Sequence, residues 1–323
     1  MKFIITGGTG HIGNNLARFL IKNNHQVKLL LRRNNDPSIN DIDCEKVVGD
    51  LFSYEFLLKE IETDSIVIHS AGLIDIENKD VEALQEVNFD LTVKITQACI
   101  EKQIKKFIYI SSTDAINQME GTIEKVDSFD LEGLEFYYGI TKAMASDYVL
   151  KCLNNKLLDG VIIIPSAVLG INDYKGSSQG LVIKDAYKKK ICITTKGHYN
   201  FIDVEYLVEA IYQASIKDCD KTYIISGVDC TIKELYQTIF KVQGKKYRSI
   251  YIPGFIVRIF VPLISLYYKL SKKKPLFTKM VLKTINEKRT FSNKYALLDL
   301  ELKNTNLEDL IYKTNKWFLE NNK

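Results

Sequence analysis

The chain has 323 residues, 46% of them apolar and 26% charged, with only 17 Gly and 5 Pro. That is enough apolar material for one large domain, or a large domain with a smaller lobe, and it excludes a disordered or fibrous protein. The net charge of +4 is spread along the chain apart from Lys272, Lys273 and Lys274, so the concentrated basic face of a nucleic-acid binder is missing.

Six cysteines (Cys44, Cys99, Cys152, Cys192, Cys219 and Cys230) form no Cys-x-x-Cys pair and have no His at metal-ligand spacing. They read as reduced, mostly buried thiols, and no metal site is expected. Lys2 leads directly into an apolar strand pattern that leaves no room for a signal peptide, so the expected location is cytoplasmic.

Residues 3–5 (Phe-Ile-Ile) form a short apolar run of the kind found in buried parallel strands. An amphipathic helix follows from about His11 to Lys22, with Ile12, Leu16, Phe19 and Leu20 on one face. Further strands are expected at Val27–Leu31, Val47-Val48, Ile66–Ile68, Phe107–Ile110 and Val161–Ile164, with helical patterns between them. One helix is expected from about Val81 to Glu101 and another around Tyr138 to Leu153. This alternation predicts an α/β fold of Rossmann type, a doubly wound parallel sheet with helices on both faces. After Pro165 the rhythm loosens. Residues 1–165 are read as a dinucleotide-binding domain to which some later segments return, and 166–323 as mainly a smaller substrate lobe.

The first strand ends in Thr6-Gly7-Gly8-Thr9-Gly10-His11-Ile12-Gly13. Glycines at 7, 10 and 13 let the backbone turn sharply and approach a pyrophosphate, and the helix beginning there aims its N–H groups at the anion. A glycine trio alone also marks plain turns; its place between a first strand and an amphipathic helix points to a dinucleotide. The second strand ends at Leu31-Arg32-Arg33, where a cofactor without a 2′-phosphate usually meets an acid. Arg32 is the expected partner of a 2′-phosphate, so NADP(H) is the preferred cofactor and NAD(H) the alternative; Asp36, just beyond, complicates that choice. Asp50 and Leu51 are expected at the adenine edge, and Ala71 and Gly72 beside the cofactor backbone, each at a strand C-terminus.

Tyr138 and Lys142 lie four residues apart, on one face of a helix. A phenol is a weak acid at neutral pH unless a cation stabilises its phenolate, and Lys142 supplies that charge. Tyr138 can then protonate a carbonyl oxygen as hydride arrives, or remove the proton in reverse. A chain with 18 Tyr produces such pairs by chance. This pair, however, follows the strand ending Ser111-Ser112-Thr113-Asp114, whose hydroxyls emerge at the same sheet edge and can orient a carbonyl.

The ordered set TGGTGHIG, IHSAG, VNFDLT, ISSTD, YGITK and PSAVLG resembles the extended short-chain dehydrogenases/reductases. Within them it is most similar to the dihydroflavonol-4-reductase-like and 3β-hydroxysteroid-dehydrogenase-like members of the NAD(P)-dependent epimerase/dehydratase family. The resemblance spans nearly the whole chain, including Asn200–Val204 and Trp317-Phe318. It implies a Ser or Thr, Tyr and Lys triad in which Thr113, three places before Ile116, stands ahead of Ser112. It further implies an Asn on a long helix beside the site (Asn88), and nicotinamide lining by Pro165, Ser166 and Val168. Ile164 stands where the family usually has Arg. Asp203 occupies a place more often held by His or Tyr and is given no catalytic role. Homodimerisation through the helices beginning near Val81 and Tyr138 is also implied.

Residues 250–270 are the most apolar stretch, interrupted by Arg258 and Pro262 and too short in their uninterrupted runs to span a membrane. A helical flap over the substrate cleft is the leading reading. A plain core helix, and an interfacial helix giving peripheral membrane contact through 250–274, are the others. The leading function is NADP(H)-dependent hydride transfer with a ketone or aldehyde, lipophilic or aromatic. A nucleotide-sugar epimerase or dehydratase is the nearest rival; Arg32 counts against it, and Ala115 withholds the second acid a dehydratase needs beside Asp114. A non-catalytic NADPH-binding regulator or assembly factor is the third reading, disfavoured by the presence of both Tyr138 and Lys142.

Overall fold

A strand that is apolar at every position must be covered on both faces. The structure, a computed structural model describing residues 1–33, 35–75, 79–118, 120–257 and 279–321, meets that demand. Seven parallel strands form the main sheet: β1 (Lys2–Thr6), β2 (Gln26–Leu31), β3 (Glu45–Val48), β4 (Ile66–His69), β5 (Lys106–Ile110), β7 (Gly160–Pro165) and β11 (Thr222–Ile225). Their order is β3-β2-β1-β4-β5-β7-β11. Three small sheets use the other strands: β8 (Ala167–Leu169), β10 (His198–Asp203) and β12 (Val228–Thr231) in one, β9 (Cys192–Thr194) with β13 (Ser249–Tyr251) in another, and β6 (Glu120–Ile123) with β14 (Lys288–Phe291) in the third.

The alternation along β1 shows how both faces are filled. Phe3 and Ile5 join a core under α1 (His11–Lys22) and α7 (Val204–Ile216), while Ile4 joins the opposite core under α2 (Tyr54–Glu60), α4 (Leu91–Glu101) and α5 (Tyr137–Asn154). Strand order reverses at β1, with β2 on one side and β4 on the other, so the crevice that such a switch point offers a ligand is expected at the C-terminal ends of β1 and β4. The expected doubly wound parallel sheet is therefore the observed one.

The helix expected over 81–101 is three pieces: α3 (Val81–Gln85), a π-helical turn Glu86–Asp90, and α4. The wider turn carries Asn88, whose buried side chain is drawn out of the helix to Leu73 and Thr141. The remaining helices are α6 (Ser178–Lys188), α8 (Ile232–Val242), α9 (Lys279–Thr284), α10 (Lys294–Asp299) and α11 (Leu307–Asn321). Of the apolar stretch 250–274, residues 258–274 lie outside the described residues, and with them Arg258, Pro262, Lys272–Lys274 and the flap, core and interfacial readings. Among the described residues no helix is long and apolar enough to cross a membrane.

Candidate active site

The turn after β1 is shaped by close backbone approach. Gly7 has φ +77°, and a Cβ there would stand 2.6 Å from the Ala71 nitrogen and 2.7 Å from the Ser70 carbonyl carbon. At Gly13 a Cβ would stand 2.4 Å from the Gly7 oxygen. These two glycines let β1, α1 and the loop after β4 pack together. Gly10 differs: its Cβ would meet only the Gly7 oxygen, at 3.2 Å, so its bareness keeps space open at the helix entrance. Gly10 caps α1 without a side-chain hydrogen bond, and no acid lies in the first turn, which leaves the leading N–H groups of α1 for an anion.

The other residues expected to hold the cofactor follow the C-terminal ends of these and neighbouring strands. Ala71 and Gly72 lie directly after β4, with a Gly72 Cβ position 3.4 Å from Asn88 Oδ1. Ile12 packs against the core of the α1 face. His11 is pushed by burial below the usual imidazole range, and its Nε2 lies 2.9 Å from the Ile171 carbonyl. A carbonyl only accepts, so the neutral ring carries its proton on Nε2. Arg32 and Arg33 follow β2 exposed and without an ion-pair partner among the described residues. Asp36 is already engaged: Oδ1 accepts from Ser38 N at 3.1 Å and Ser38 Oγ at 2.6 Å, and Oδ2 faces Lys175 Nζ at 3.3 Å. Asp50 Oδ1 accepts from Phe52 N at 2.9 Å, closing a turn, and Leu51 is buried in the core of the α4–α5 face. Pro165 ends β7, Val168 lies in β8, and Ser166 Oγ between them is buried with no hydrogen-bond partner among the described residues. An open glycine face, an uncapped helix start and an orphaned hydroxyl are features a bound dinucleotide would satisfy, so these residues fit one.

At the middle of the sheet edge, β5 runs into Ser111, Ser112 and a tight turn, Thr113–Ala115. Helix α5 crosses this turn so closely that a Cβ on Gly139 would stand 2.5 Å from the Asp114 carbonyl oxygen. That contact brings Tyr138 to Ser112 and Asp114. Burial, then the Asp114 charge, raises the Tyr138 phenol, while the neighbouring Ser112 hydroxyl acts in the opposite sense. Burial also raises the Asp114 carboxyl, against the charge of Arg289 and a hydrogen bond from Ser112, whose Oγ lies 3.2 Å from Asp114 Oδ2. Ser112 thus has a hydroxyl beside Tyr138, and Thr113 opens the turn.

Lys142 lies one helical turn below Tyr138, and its Nζ donates to Tyr109 Oη at 2.8 Å and to the Ile110 carbonyl at 2.6 Å. Desolvation pushes its ammonium down to about 7. The charge expected next to the phenol is therefore drawn beneath it, onto the ring of Tyr109, whose centroid is 4.4 Å away. The motifs do not single out Tyr109; its alternation with Ile108 and Ile110 along β5 is the signal that puts it on the α5 face. His69 is a second such residue. Its Nε2 is 2.9 Å from Thr92 Oγ1, which itself donates to the Asn88 carbonyl, and its Nδ1 is 2.7 Å from Thr6 Oγ1. Burial and then the Lys142 charge push His69 down to about 3, so it is neutral and serves as a buried tie between β1, β4 and α4.

Asn88 Oδ1 accepts from Leu73 N at 2.8 Å, and its Nδ2 donates to the Leu73 carbonyl at 3.0 Å and to Thr141 Oγ1 at 3.2 Å. It clamps the loop after β4 to α5, one residue away from Lys142. Asp203 N-caps α7 through Glu205 N at 2.9 Å and pairs with Lys313 at 3.2 Å, a structural role.

Among curated relatives, "Sterol demethylase protein B" of Methylococcus capsulatus is 26% identical over 260 residues, covering 78% of each chain. The crystal structure of gox2253 superposes with a TM-score of 0.82 at 22% identity, covering 98% of each chain. UDP-N-acetylglucosamine 4-epimerase from Methanobrevibacter ruminantium, solved with UDP-N-acetylmuramic acid, gives 0.77 at 19% identity, covering 99% of this chain and 98% of its own. These two structures share the fold. The model of the NAD dependent epimerase/dehydratase family matches residues 3–225, from β1 through β11. With its glycine turn, its Tyr138–Lys142 helix and this match, the chain belongs to the NAD-dependent epimerase/dehydratase family, nicotinamide-dinucleotide oxidoreductases that act on CH–OH and C=O groups.

Proposed function

We propose that the protein is an NADP(H)-dependent reductase or dehydrogenase of a ketone or aldehyde, lipophilic or aromatic, with Tyr138 as the acid and base. The observation that carries the reading is the meeting of Tyr138 with Ser112 and Asp114 over a buried Lys142 at the C-terminal edge of the sheet. Residues 1–165, with some later segments, then hold the cofactor and 166–323 mainly the substrate, and the helices beginning at Val81 (α3 with α4) and near Tyr138 (α5) form the face of a homodimer.

Gly7, Thr9, Gly10, His11, Ile12 and Gly13 would hold the pyrophosphate, Arg32 the 2′-phosphate, and Asp50 and Leu51 the adenine. Ala71, Gly72, Pro165 and Val168 would flank the nicotinamide half. The bound cofactor supplies the hydride. Tyr138 Oη, kept protonated by burial and by Asp114, gives its proton to the substrate oxygen as charge develops there. Ser112 Oγ holds that oxygen, with Thr113 as the other hydroxyl at the turn. Lys142 Nζ, released from Tyr109 and Ile110, binds the nicotinamide ribose and stabilises the phenolate left behind. Support for NADP comes from two exposed arginines at the end of β2, without an ion-pair partner among the described residues, and from an Asp36 whose carboxylate is committed to Ser38 and Lys175. The Methylococcus relative, named for a sterol, favours a lipophilic substrate.

A nucleotide-sugar epimerase is the second reading, favoured by the likeness to a solved UDP-sugar epimerase. Binding of NADPH and NADH to purified protein, then cofactor oxidation over ketones, aldehydes and steroids, tests the first. Tyr138→Phe is expected to lower kcat about 10²–10⁴-fold without weakening NADPH binding. Tighter NADH than NADPH binding, together with interconversion of UDP-sugars, would replace it with the second.

A further inference from the structure

The loop Gly170–Ser177 leaves β8 and crosses to the start of α1. It is fastened there by His11 Nε2 and Asn15 Nδ2, 2.9 and 3.0 Å from the Ile171 carbonyl, and by Asn172 Nδ2 donating to Asn15 Oδ1 at 3.0 Å. At its far end Lys175 Nζ donates to Thr9 Oγ1 at 2.7 Å and lies 3.3 Å from Asp36 Oδ2. Thr9 belongs to the phosphate turn, and Asp36 stands four residues after Arg32. A cation from a segment 166 residues away is thereby placed against both stretches that would border the adenosine ribose of a bound dinucleotide.

We propose that Lys175 is a specificity-determining residue for the cofactor, binding the 2′-phosphate together with Arg32. The inference rests on the NADP reading above and adds to it a residue outside the β2 end. The charge balance favours the exchange. The Lys175–Asp36 pair is half-exposed and screened by solvent, whereas a 2′-phosphate offers close to two negative charges and three acceptor oxygens. Asp36 Oδ1 keeps both hydrogen bonds from Ser38 when Lys175 turns, and the part-exposed Oδ2 exchanges Lys175 for solvent. Before the cofactor arrives, Asp36 and Thr9 hold the ammonium near its position and reduce the ordering cost of binding.

The test uses two fragments that differ in one group, 2′,5′-ADP and 5′-AMP, titrated calorimetrically alongside NADPH and NADH. Lys175→Met is expected to weaken 2′,5′-ADP and NADPH about tenfold, leave 5′-AMP and NADH within about twofold, and flatten the salt dependence of 2′,5′-ADP binding. Lys175→Arg is expected to restore the preference. Equal weakening of both fragments would make Lys175 a general strap and overturn the inference, as would no change in either. Loss of preference in Arg32→Met with none in Lys175→Met overturns the inference and leaves the NADP reading standing. A wild-type protein that binds 5′-AMP as tightly as 2′,5′-ADP overturns both.

Discussion

The main sheet and the three small sheets satisfy their strands in different ways. In the main sheet the paired neighbours are all parallel, and the central strands are buried on both faces. The small sheets join short segments distant in sequence: β6 pairs with β14 across 168 residues, and β13, exposed at all three positions, pairs with β9. The first arrangement is over-determined by apolar pattern and glycine placement. The second depends on long-range pairing of segments with little character of their own. In the proposed reading cofactor binding and proton transfer lie on the first. In that reading the choice of substrate falls to the second, where the chain is freer to vary.

The over-determined edge also stores electrostatic cost, and Lys142 gives the largest expected effect. Its ammonium titrates near 7 in the folded protein against an ordinary 10.5. Between those values the unfolded chain binds a proton that the folded chain does not. Stability therefore rises as pH goes from 7 towards 10.5, and the penalty is complete below pH 7. At about 1.4 kcal/mol per unit the contribution is up to roughly 5 kcal/mol. Urea unfolding of cofactor-free protein at pH 7 and pH 9.5, for wild type and Lys142→Met, isolates it: the wild type should gain more on the alkaline side. Parallel gains would mean the burial costs nothing. Next comes Gly7→Ala, which places a methyl against the backbone of Ala71 at a positive φ. About 3 kcal/mol of stability and most dinucleotide affinity should go together, read by denaturant midpoint and by calorimetry.

The same contrast explains what was legible in the residues. Phe3–Ile5 and Ile66–Ile68 could be read as strands because each short run is apolar throughout, and Gly7 and Gly13 because only glycine fits the approach they make. Tyr138 and Lys142 were legible as a spacing, but the direction of the Lys142 ammonium was not. It depends on Tyr109, whose place opposite α5 follows from packing two elements 33 residues apart. The π-helical turn at Asn88 was hidden for a similar reason: the local pattern is plainly helical, and the distortion comes from Leu73 and Thr141, which the helix itself does not specify. Lys175 had no local signal, since its partners Thr9 and Asp36 are reached only when the loop after β8 folds back. Asn88→Ala measures that kind of contact. It strips Leu73 N and O of partners in a partly buried place, so about 1 kcal/mol of stability is expected to be lost, with a fall in kcat as α5 loosens from the β4 loop.

The smallest effect belongs to the other half of the comparison and sharpens it most. Thr231 begins α8 with a reciprocal cap: its Oγ1 accepts from Glu234 N at 3.1 Å, and Glu234 Oε2 accepts from Thr231 N at 2.8 Å. Thr231→Ala removes the first of these bonds, and a cap of this kind contributes about 1 kcal/mol. Its helix packs in a separate cluster with Leu169, Phe201 and Ile311 and has no member in either core of the main sheet. If the small sheets are energetically apart from the cofactor edge, thermal unfolding should shift by about 1–2 °C while the affinities for NADPH and 2′,5′-ADP stay unchanged. A change in cofactor affinity from a cap this far from the glycine turn would show that the two halves are coupled, and that the substrate side sets the geometry of the cofactor side as well as the choice of carbonyl.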